Sequence, residues 1–149
     1  MRFPKAPDMV ETKVTSPPGK AGKEEEPMTE QRTAGGLDFG ALRRAIEGRD
    51  AEALAGFYAD DAQISTVNKN ATPSSPEVLR GKEQIAGYLR DVCGREMTHR
   101  VEDEVVGEGR VAFVEACEYP DGVKVLGAAT LEVRDGKIVR QANVEAWDE

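Results

Sequence analysis

The second half of the chain constrains the fold most strongly. Residues 97–147 hold four segments of strand-like composition that are separated only by short turns. Glycine-containing turns lie at 107–109, 120–122 and 135–136, and the Asp-Gly pair of the last one is the strongest hairpin signal in the sequence. This pattern predicts a long antiparallel meander.

Helical segments precede the meander. Apolar residues at helical spacing predict three helices, over 37–48, 51–61 and 82–95. A strand is predicted over 62–67, and the segment 68–81, rich in proline and serine, is typical of a loop. Helices followed by a meander predict an α+β fold, in which a strongly curved antiparallel sheet wraps over the helices and encloses one pocket.

The first 36 residues differ in composition from the rest. The segment 1–36 holds most of the eight prolines and an acidic cluster at 24–26, and it lacks apolar periodicity. Such a segment cannot offset the entropy lost on ordering. We therefore predict a disordered tail over 1–36 and a single folded domain over 37–149.

Charge and hydropathy exclude several classes of partner. The net charge is −8, and residues 37–149 carry 22 acidic against 14 basic side chains, so contact with nucleic acid is not expected. The opening residues lack the apolar run of a signal peptide, and no apolar stretch reaches the roughly 18 residues of a membrane span. We expect a cytoplasmic protein without membrane contact.

Cofactor and metal motifs are missing from the sequence. Its single histidine and its two cysteines, Cys93 and Cys117, show no metal-binding spacing. No glycine-rich phosphate loop follows a predicted strand, and no Gly-x-Ser-x-Gly nucleophile motif occurs. We expect no metal and no cofactor, and the cysteines are expected to be reduced, half-buried thiols.

Four segments carry a resemblance to a known family. They are RDAEAL at 49–54, FYADDA at 57–62, LRGKEQI at 79–85 and VRDGKIV at 133–139. Together they resemble the nuclear transport factor 2-like superfamily, and within it the SnoaL-like polyketide cyclase and ketosteroid isomerase branch. The resemblance covers about residues 37–149 and implies a cone-shaped α+β barrel. Because the superfamily includes isomerases, cyclases, hydrolases and non-enzymes, it does not imply one activity.

The chain departs from the isomerase pattern at its catalytic positions. In that pattern a tyrosine lies in the first helix, an aspartate ends the first strand, and a protonated aspartate lies in the penultimate strand. The corresponding positions here are Leu42, Thr66 and about Ala129. None of these side chains performs acid–base chemistry, so the resemblance implies the shape of an isomerase without its site.

Strand alternation identifies the residues that face the pocket. For the last strand, alignment with the family pattern predicts that these residues face inward: Val139, Gln141, Asn143, Glu145 and Trp147. The strand 110–119 contributes Val111, Phe113, Glu115, Cys117 and Tyr119, and the strand 97–106 contributes His99, Val101, Asp103 and Val105. The outer face carries an unusually apolar set, Ala112, Val114, Ala116, Leu126, Ala128 and Thr130. Such a surface predicts a homodimer.

The predicted pocket has an apolar wall and a few polar groups. The wall consists of Phe113, Leu131, Val133 and Trp147. The polar ligand-binding candidates are Tyr58, Gln141, Asn143 and Glu145, and the candidate acid–base pair is Glu115 with His99. A register shifted by one residue would turn Glu115 to solvent or to a dimer partner. The other polar residues and Trp147 each also have a purely structural interpretation.

Two functional hypotheses remain open. In the first, the protein performs no catalysis and either binds a small hydrophobic molecule with a carbonyl or hydroxyl group or dimerises and serves an interaction role. In the second, it is a cofactor-independent cyclase, isomerase or dehydratase, in which Glu115 accepts the proton and His99 donates one or stabilises an oxyanion. The missing family acids favour the first, and an inward His–Glu pair would favour the second.

Overall fold

A computed structural model describes residues 33–148. The helices are α1 (Phe39–Glu47), α2 (Ala51–Ala55) and α3 (Lys82–Cys93). The strands are β1 (Thr33–Ala34), β2 (Leu37–Asp38), β3 (Tyr58–Val67), β4 (Glu77–Arg80), β5 (Thr98–Val106), β6 (Arg110–Glu118), β7 (Lys124–Arg134) and β8 (Lys137–Trp147). The predicted meander is confirmed as β5 to β8. None of the helices among the described residues is long and apolar enough to span a bilayer.

The second helix is shorter than predicted. Asp50 caps α2 by accepting a hydrogen bond from the Ala53 amide at 3.0 Å, but the helix ends at Ala55 instead of reaching residue 61. The backbone oxygen of Phe57 accepts a bond from the Ile138 amide at 2.8 Å, and Tyr58 then pairs with Ile138. The pairing with β8 therefore overrides the helical pattern of the sequence.

The large sheet has six strands in the order β4-β3-β8-β7-β6-β5. All neighbours are antiparallel except β3 and β8, which pair in parallel, so the sheet is mixed where we predicted a purely antiparallel one. Strand β4 lies within the segment 68–81 that was predicted to be a loop. It was missed because it is a four-residue edge strand directly after Pro76.

A bulge in β5 changes which residues face inward. The register shifts between Glu102 and Val105, and Asp103 adopts a positive φ of 52°. Val106 therefore pairs with Val111, while Val105 is 65% exposed. The inward positions predicted for Asp103 and Val105 are wrong, because an extra residue reverses the alternation beyond the bulge.

A second bulge has the same effect at the start of β8. The register shifts between Glu132 and Val133, so that Val133 pairs with Ile138. Ile138 is fully buried and takes the inward place predicted for Val139, whereas Gln141 and the later inward residues keep their predicted face. Val133 is 5% exposed and packs against Gly35, where an added Cβ would lie 3.2 Å from its Cγ1, and it lines neither of the two cavities that the other site residues line.

The N-terminal boundary of the domain lies earlier than residue 37. Of the predicted tail 1–36, residues 1–32 lie outside the described residues. The remaining four are ordered, since β1 pairs with β2 and Ala34 is only 1% exposed. The Gly35 oxygen also accepts a bond from the Gly136 amide at 2.6 Å. The residues 33–36 are therefore part of the folded structure.

We expect two truncations to differ in stability. Removing residues 1–32 keeps the β1–β2 pair, whereas removing residues 1–36 deletes the buried Ala34 and the bond to Gly136. The second truncation should lower the free energy of unfolding by about 1–3 kcal/mol relative to the first, as measured by urea denaturation. Equal midpoints and slopes for the two proteins would show that the β1–β2 pair contributes nothing.

Candidate functional site

Two adjoining chambers lie between the helices and the inner face of the sheet. The inner chamber has a volume of about 100 Å³ and the outer chamber about 580 Å³. Six residues line both chambers, and we call them the junction: Tyr88, Val92, His99, Glu115, Gly127 and Glu145. The inner chamber is mainly apolar, with Leu42, Ile46, Leu54, Ile64, Leu89, Phe113 and Leu131 in its wall.

The structure brings all nine predicted catalytic and ligand-binding residues to this cavity, whereas the predicted wall residue Val133 does not line it. Five of the nine line the inner chamber but not the outer one: Tyr58, Phe113, Leu131, Gln141 and Asn143. His99, Glu115 and Glu145 belong to the junction, and Trp147 lines only the outer chamber. Trp147 is therefore separated from the apolar wall in which we predicted it. Its ring instead lies beneath Lys69, whose Nζ is 5.0 Å from the ring centre.

Strand register explains how the junction forms. His99 of β5 pairs with Cys117 of β6, and Glu115 pairs with Gly127 of β7. Gly127 pairs in turn with Glu145 of β8. Since cross-strand partners share a face, these residues all lie on the inner side of the sheet. The predicted register of β6 is the observed one, and Glu115 faces the cavity.

His99, Glu115 and Cys117 form a hydrogen-bonded group. The Nδ1 of His99 lies 2.7 Å from Glu115 Oε2, and the Cys117 sulfur lies 3.3 Å from Nδ1 and 3.7 Å from Oε2. An ionised carboxylate only accepts, so Nδ1 carries the proton and donates it to Glu115. The His99 side chain is 5% exposed, and its Nε2 has no partner among the described residues.

The Cys117 thiol is held in its protonated form. Burial raises the pKa of Cys117 from 9.0 to about 12, with further contributions from the charge of Glu115, the hydrogen bond to it and the charge of Glu145. The thiolate is the nucleophilic form of cysteine. Cys117 is therefore a poor nucleophile in this site.

The same three residues offer one donor set for a metal ion. Their ligand atoms lie within 4.8 Å of one another, and nitrogen, oxygen and sulfur are the ligands that zinc takes. The sequence did not indicate this group, because cross-strand pairing brings His99 beside Cys117. However, the 2.7 Å contact is shorter than the roughly 3.3 Å between two ligands of a tetrahedral zinc. His99 Nε2 also lacks the acceptor that usually orients a ligating histidine. The observed geometry is that of a hydrogen-bonded group.

A line of polar side chains connects β3 with β8. The Tyr58 hydroxyl donates to Gln141 Oε1 at 2.6 Å, Gln141 Nε2 donates to Asn143 Oδ1 at 3.0 Å, and Asn143 Nδ2 donates to Thr66 Oγ1 at 3.3 Å. Burial, with smaller contributions from the charges of Tyr88 and Glu115, raises the pKa of Tyr58 above its usual range. These side chains satisfy one another, which leaves them few free donors for a ligand.

Glu145 is fixed by neutral donors. Its Oε1 accepts bonds from Asn68 Nδ2 at 3.0 Å and from Trp147 Nε1 at 3.4 Å. The second oxygen has no hydrogen-bond partner among the described residues. Glu145 therefore presents an acceptor at the junction.

Tyr88 is a junction residue that the sequence analysis missed. It lies on α3 with Ile85 and Val92, three and four residues away, so the helical spacing could have placed it on the same face. Its hydroxyl has no hydrogen bond among residues 33–148 and lies at the junction. Burial, followed by the charges of Glu145 and Glu115, raises the pKa of Tyr88 above its usual range.

Comparison with known families identifies the fold. The sequence pattern of the SnoaL-like domain family matches residues 40–141. The chain belongs to the SnoaL-like domain family. A comparison with curated proteins gives no match of significance.

Solved structures of related shape agree with this assignment. A ketosteroid isomerase candidate from Kribbella flavida is 19% identical with a TM-score of 0.61, covering 74% of this SnoaL-like chain and 75% of that one. An NTF-2 like protein of unknown function from Burkholderia xenovorans is 19% identical with a TM-score of 0.63, covering 74% and 81%. An epoxide hydrolase of M. tuberculosis is also 19% identical, with a TM-score of 0.54 and coverage of 74% and 79%. These likenesses show the fold alone.

The positions assigned to catalytic groups by the family resemblance do face the cavity of this SnoaL-like domain. Leu42 and Ala129 line the inner chamber, and Thr66 lines the outer one. Their side chains supply no acid or base. Acidic groups of the cavity lie elsewhere, at Glu115 and Glu145 of the junction and at Glu77 and Asp91 of the outer chamber.

We expect the stability of the protein to fall at alkaline pH. A raised pKa in the folded state stabilises the fold below the unfolded-state pKa, and this contribution is lost as the pH rises toward the folded-state value. For Cys117 the decline begins near pH 9 and extends toward pH 12. Replacing Cys117 with Ser should flatten the decline between pH 8.5 and 10, as measured by urea unfolding. Cys93→Ser is the matched control and should retain most of the alkaline decline in stability. Superimposable curves for the wild type and Cys117→Ser would contradict the burial of the thiol.

Proposed function

We propose that this SnoaL-like protein binds a small amphipathic molecule in its two-chamber cavity. The observation that carries the proposal is the change in lining along the cavity, from an apolar inner wall to a polar junction. The apolar part of the ligand would occupy the inner chamber, and its polar head group would lie at the junction. Apolar pockets with a few convergent polar groups are typical ligand sites.

The junction favours a head group that donates hydrogen bonds. Glu115 and Glu145 only accept, whereas the Tyr88 hydroxyl both donates and accepts. A ligand hydroxyl can donate to a carboxylate and accept from Tyr88. A carbonyl can use Tyr88 alone and would lie beside two negative charges. Of the two head groups that the sequence predicts, the hydroxyl therefore fits this site better.

A second candidate function is proton transfer without a cofactor. It is favoured by the 2.7 Å contact between His99 and Glu115, because a carboxylate held in this way is oriented as a proton acceptor. The His99 Nδ1 proton is already donated to Glu115, so Tyr88 is the donor left for an oxyanion. Two carboxylates beside a developing oxyanion would oppose this chemistry, and we therefore place binding first.

Filling the inner chamber should weaken binding. Ala129→Leu directs extra carbon atoms into the chamber and displaces about two ligand methylenes, each worth about 0.8 kcal/mol, so the affinity for 1-octanol should fall about tenfold or more. NMR titration measures this. Ala53→Leu, on the exposed face of α2, is the control and should bind normally. Ile46→Phe provides a second filled chamber if Ala129→Leu does not fold. Unchanged affinity in folded chamber variants would overturn the proposed site.

Glu115→Gln tests the catalytic candidate. The amide keeps the shape and the acceptor for His99 but removes the base. Exchange of the protons beside the carbonyl of 2-octanone, followed by NMR in D₂O, should then fall by about two to four orders of magnitude. Glu108→Gln removes an equal charge from an exposed turn and should leave the exchange unchanged. No acceleration over buffer by the wild type would eliminate this candidate.

We also propose that the protein is a homodimer through the outer face of the sheet. Leu126 is 53% exposed and Val144 is 60% exposed, and Ala128 pairs with Val144 beside them. Large exposed apolar residues that cluster on one face are typical of interfaces.

Charged substitutions on the apolar face should dissociate the proposed dimer. Light scattering at micromolar concentration should give about twice the chain mass for the wild type, because the apolar face is covered only by a second copy. Leu126→Lys combined with Val144→Lys should give a monomer. The same two lysines at Thr72 and Ser74, which lie on an exposed loop, should leave the dimer intact. A monomeric wild type would refute the interface.

A further inference from the structure

Two carboxylates flank a glycine at the junction. Glu115 and Glu145 are both register partners of Gly127, so their backbones lie two strand spacings apart, about 9.5 Å. Gly127 has no side chain to fill the space between them. An added Cβ there would lie 3.7 Å from Glu145 Cγ, so the Glu145 side chain passes beside this space.

Each carboxylate has one oxygen that accepts no hydrogen bond from residues 33–148. Glu115 uses Oε2 for His99 and Cys117, and Glu145 uses Oε1 for Asn68 and Trp147. Among the described residues, no hydrogen bond engages Glu115 Oε1 or Glu145 Oε2. Two acceptors of like charge are therefore available on opposite sides of Gly127.

Lysine and arginine side chains of the described residues do not balance these charges. Within residues 33–148, neither carboxylate forms an ion pair with a lysine or an arginine. Arg95 lines the outer chamber, but its guanidinium donates to Asp91 at 2.6 Å and to the Tyr119 hydroxyl at 3.1 Å. Lys69 lies over the Trp147 ring at the outer chamber.

The surrounding groups respond to this negative charge. After burial, Glu145 and Glu115 are the next causes that raise the pKa of Tyr88. Glu115 likewise contributes to the raised pKa of Cys117. The junction is thus a half-buried region of negative potential next to an apolar chamber, where a positive charge on a ligand would be stabilised.

We propose that the head group bound at the junction is a primary ammonium group, held between Glu115 and Glu145 over Gly127. This inference rests on the proposed function and specifies its ligand class, an organic amine with an apolar tail. Three N–H donors match three acceptors, which are Glu115 Oε1, Glu145 Oε2 and the Tyr88 hydroxyl. The apolar tail occupies the inner chamber, and the desolvated ion pairs discriminate against neutral and anionic head groups.

Three ligands with the same tail separate charge from hydrophobicity. We would titrate the full-length protein with octylammonium, 1-octanol and octanoate at pH 7 and measure the dissociation constants by NMR. Charge-assisted hydrogen bonds are worth about twice neutral ones, so octylammonium should bind about tenfold or more tightly than 1-octanol. Octanoate should bind least tightly of the three.

Charge-removing variants assign the preference to the junction. Glu145→Gln should reduce the preference for octylammonium over 1-octanol to less than about threefold, because the charge of the acceptor is lost while its shape is kept. The affinity for 1-octanol should fall less than the affinity for octylammonium, because its hydroxyl donates one neutral hydrogen bond that the amide oxygen can still accept. Glu108→Gln is the matched control, since it removes the same charge from an exposed turn, and it should keep the full preference. Adding 200 mM salt should leave most of the preference for octylammonium over 1-octanol, because salt screens a half-buried ion pair less than an exposed one.

The outcomes distinguish the two proposals. If 1-octanol and octylammonium bind equally, or if Glu145→Gln and Glu108→Gln behave alike, the ammonium proposal is overturned while the hydrophobic site remains. If none of the three ligands binds, the proposed function itself fails. Stabilisation by zinc alone, with loss of this effect in Cys117→Ser but not in Cys93→Ser, would replace the ammonium with a metal at His99, Glu115 and Cys117.

Discussion

The parallel pairing of β3 with β8 joins the helical first half of the chain to the meander, and the site depends on it. Strand β3 follows the first two helices, so this pairing sets them against the meander, where α1 contacts β5. Three side-chain contacts cross this seam, from Tyr58 to Gln141, from Asn143 to Thr66 and from Asn68 to Glu145. They fix the wall of the inner chamber and orient a junction carboxylate at the same time. A parallel ladder between distant segments has a high cost in loop-closure entropy, and the buried core on its inner face offsets that cost.

The cavity combines two requirements that oppose each other. Its inner chamber is built from apolar side chains that pack as part of the core, whereas its junction holds two carboxylates, a histidine and a tyrosine hydroxyl. Side chains of the second kind weaken a fold unless they are paired. The protein pairs some of them, through the group of His99, Glu115 and Cys117, and within residues 33–148 one oxygen of each carboxylate accepts no hydrogen bond. Polar groups that are tolerated in this way beside an apolar chamber are the physical basis for both the binding proposal and its preference for a cation.

Membership in the SnoaL-like family settles the architecture but not the chemistry. The same cone-shaped scaffold supports proteins that differ in their side chains at the pocket wall. Here Leu42, Thr66 and Ala129 occupy the positions that the isomerase pattern assigns to its catalytic groups. The two carboxylates of the junction come instead from β6 and β8, on either side of Gly127. Their geometry differs from a base that faces an oxyanion hole, and the chemistry of this chain has to be read from its own residues.

The sequence by itself determined the order of elements, the meander and the inward face of β6 and most of β8, because turn residues and a period of two are local properties. All nine candidate catalytic and ligand-binding residues predicted from the sequence therefore line the cavity. The end of α2, strand β4 and the inward residues beyond the bulges at Asp103 and Val139 were decided only by the tertiary structure. A bulge is one extra residue that strand pairing selects, and pattern reading cannot locate it. The neighbours of His99 were decided in the same way, because cross-strand register brought Cys117 beside it and helix packing brought Tyr88 to the junction.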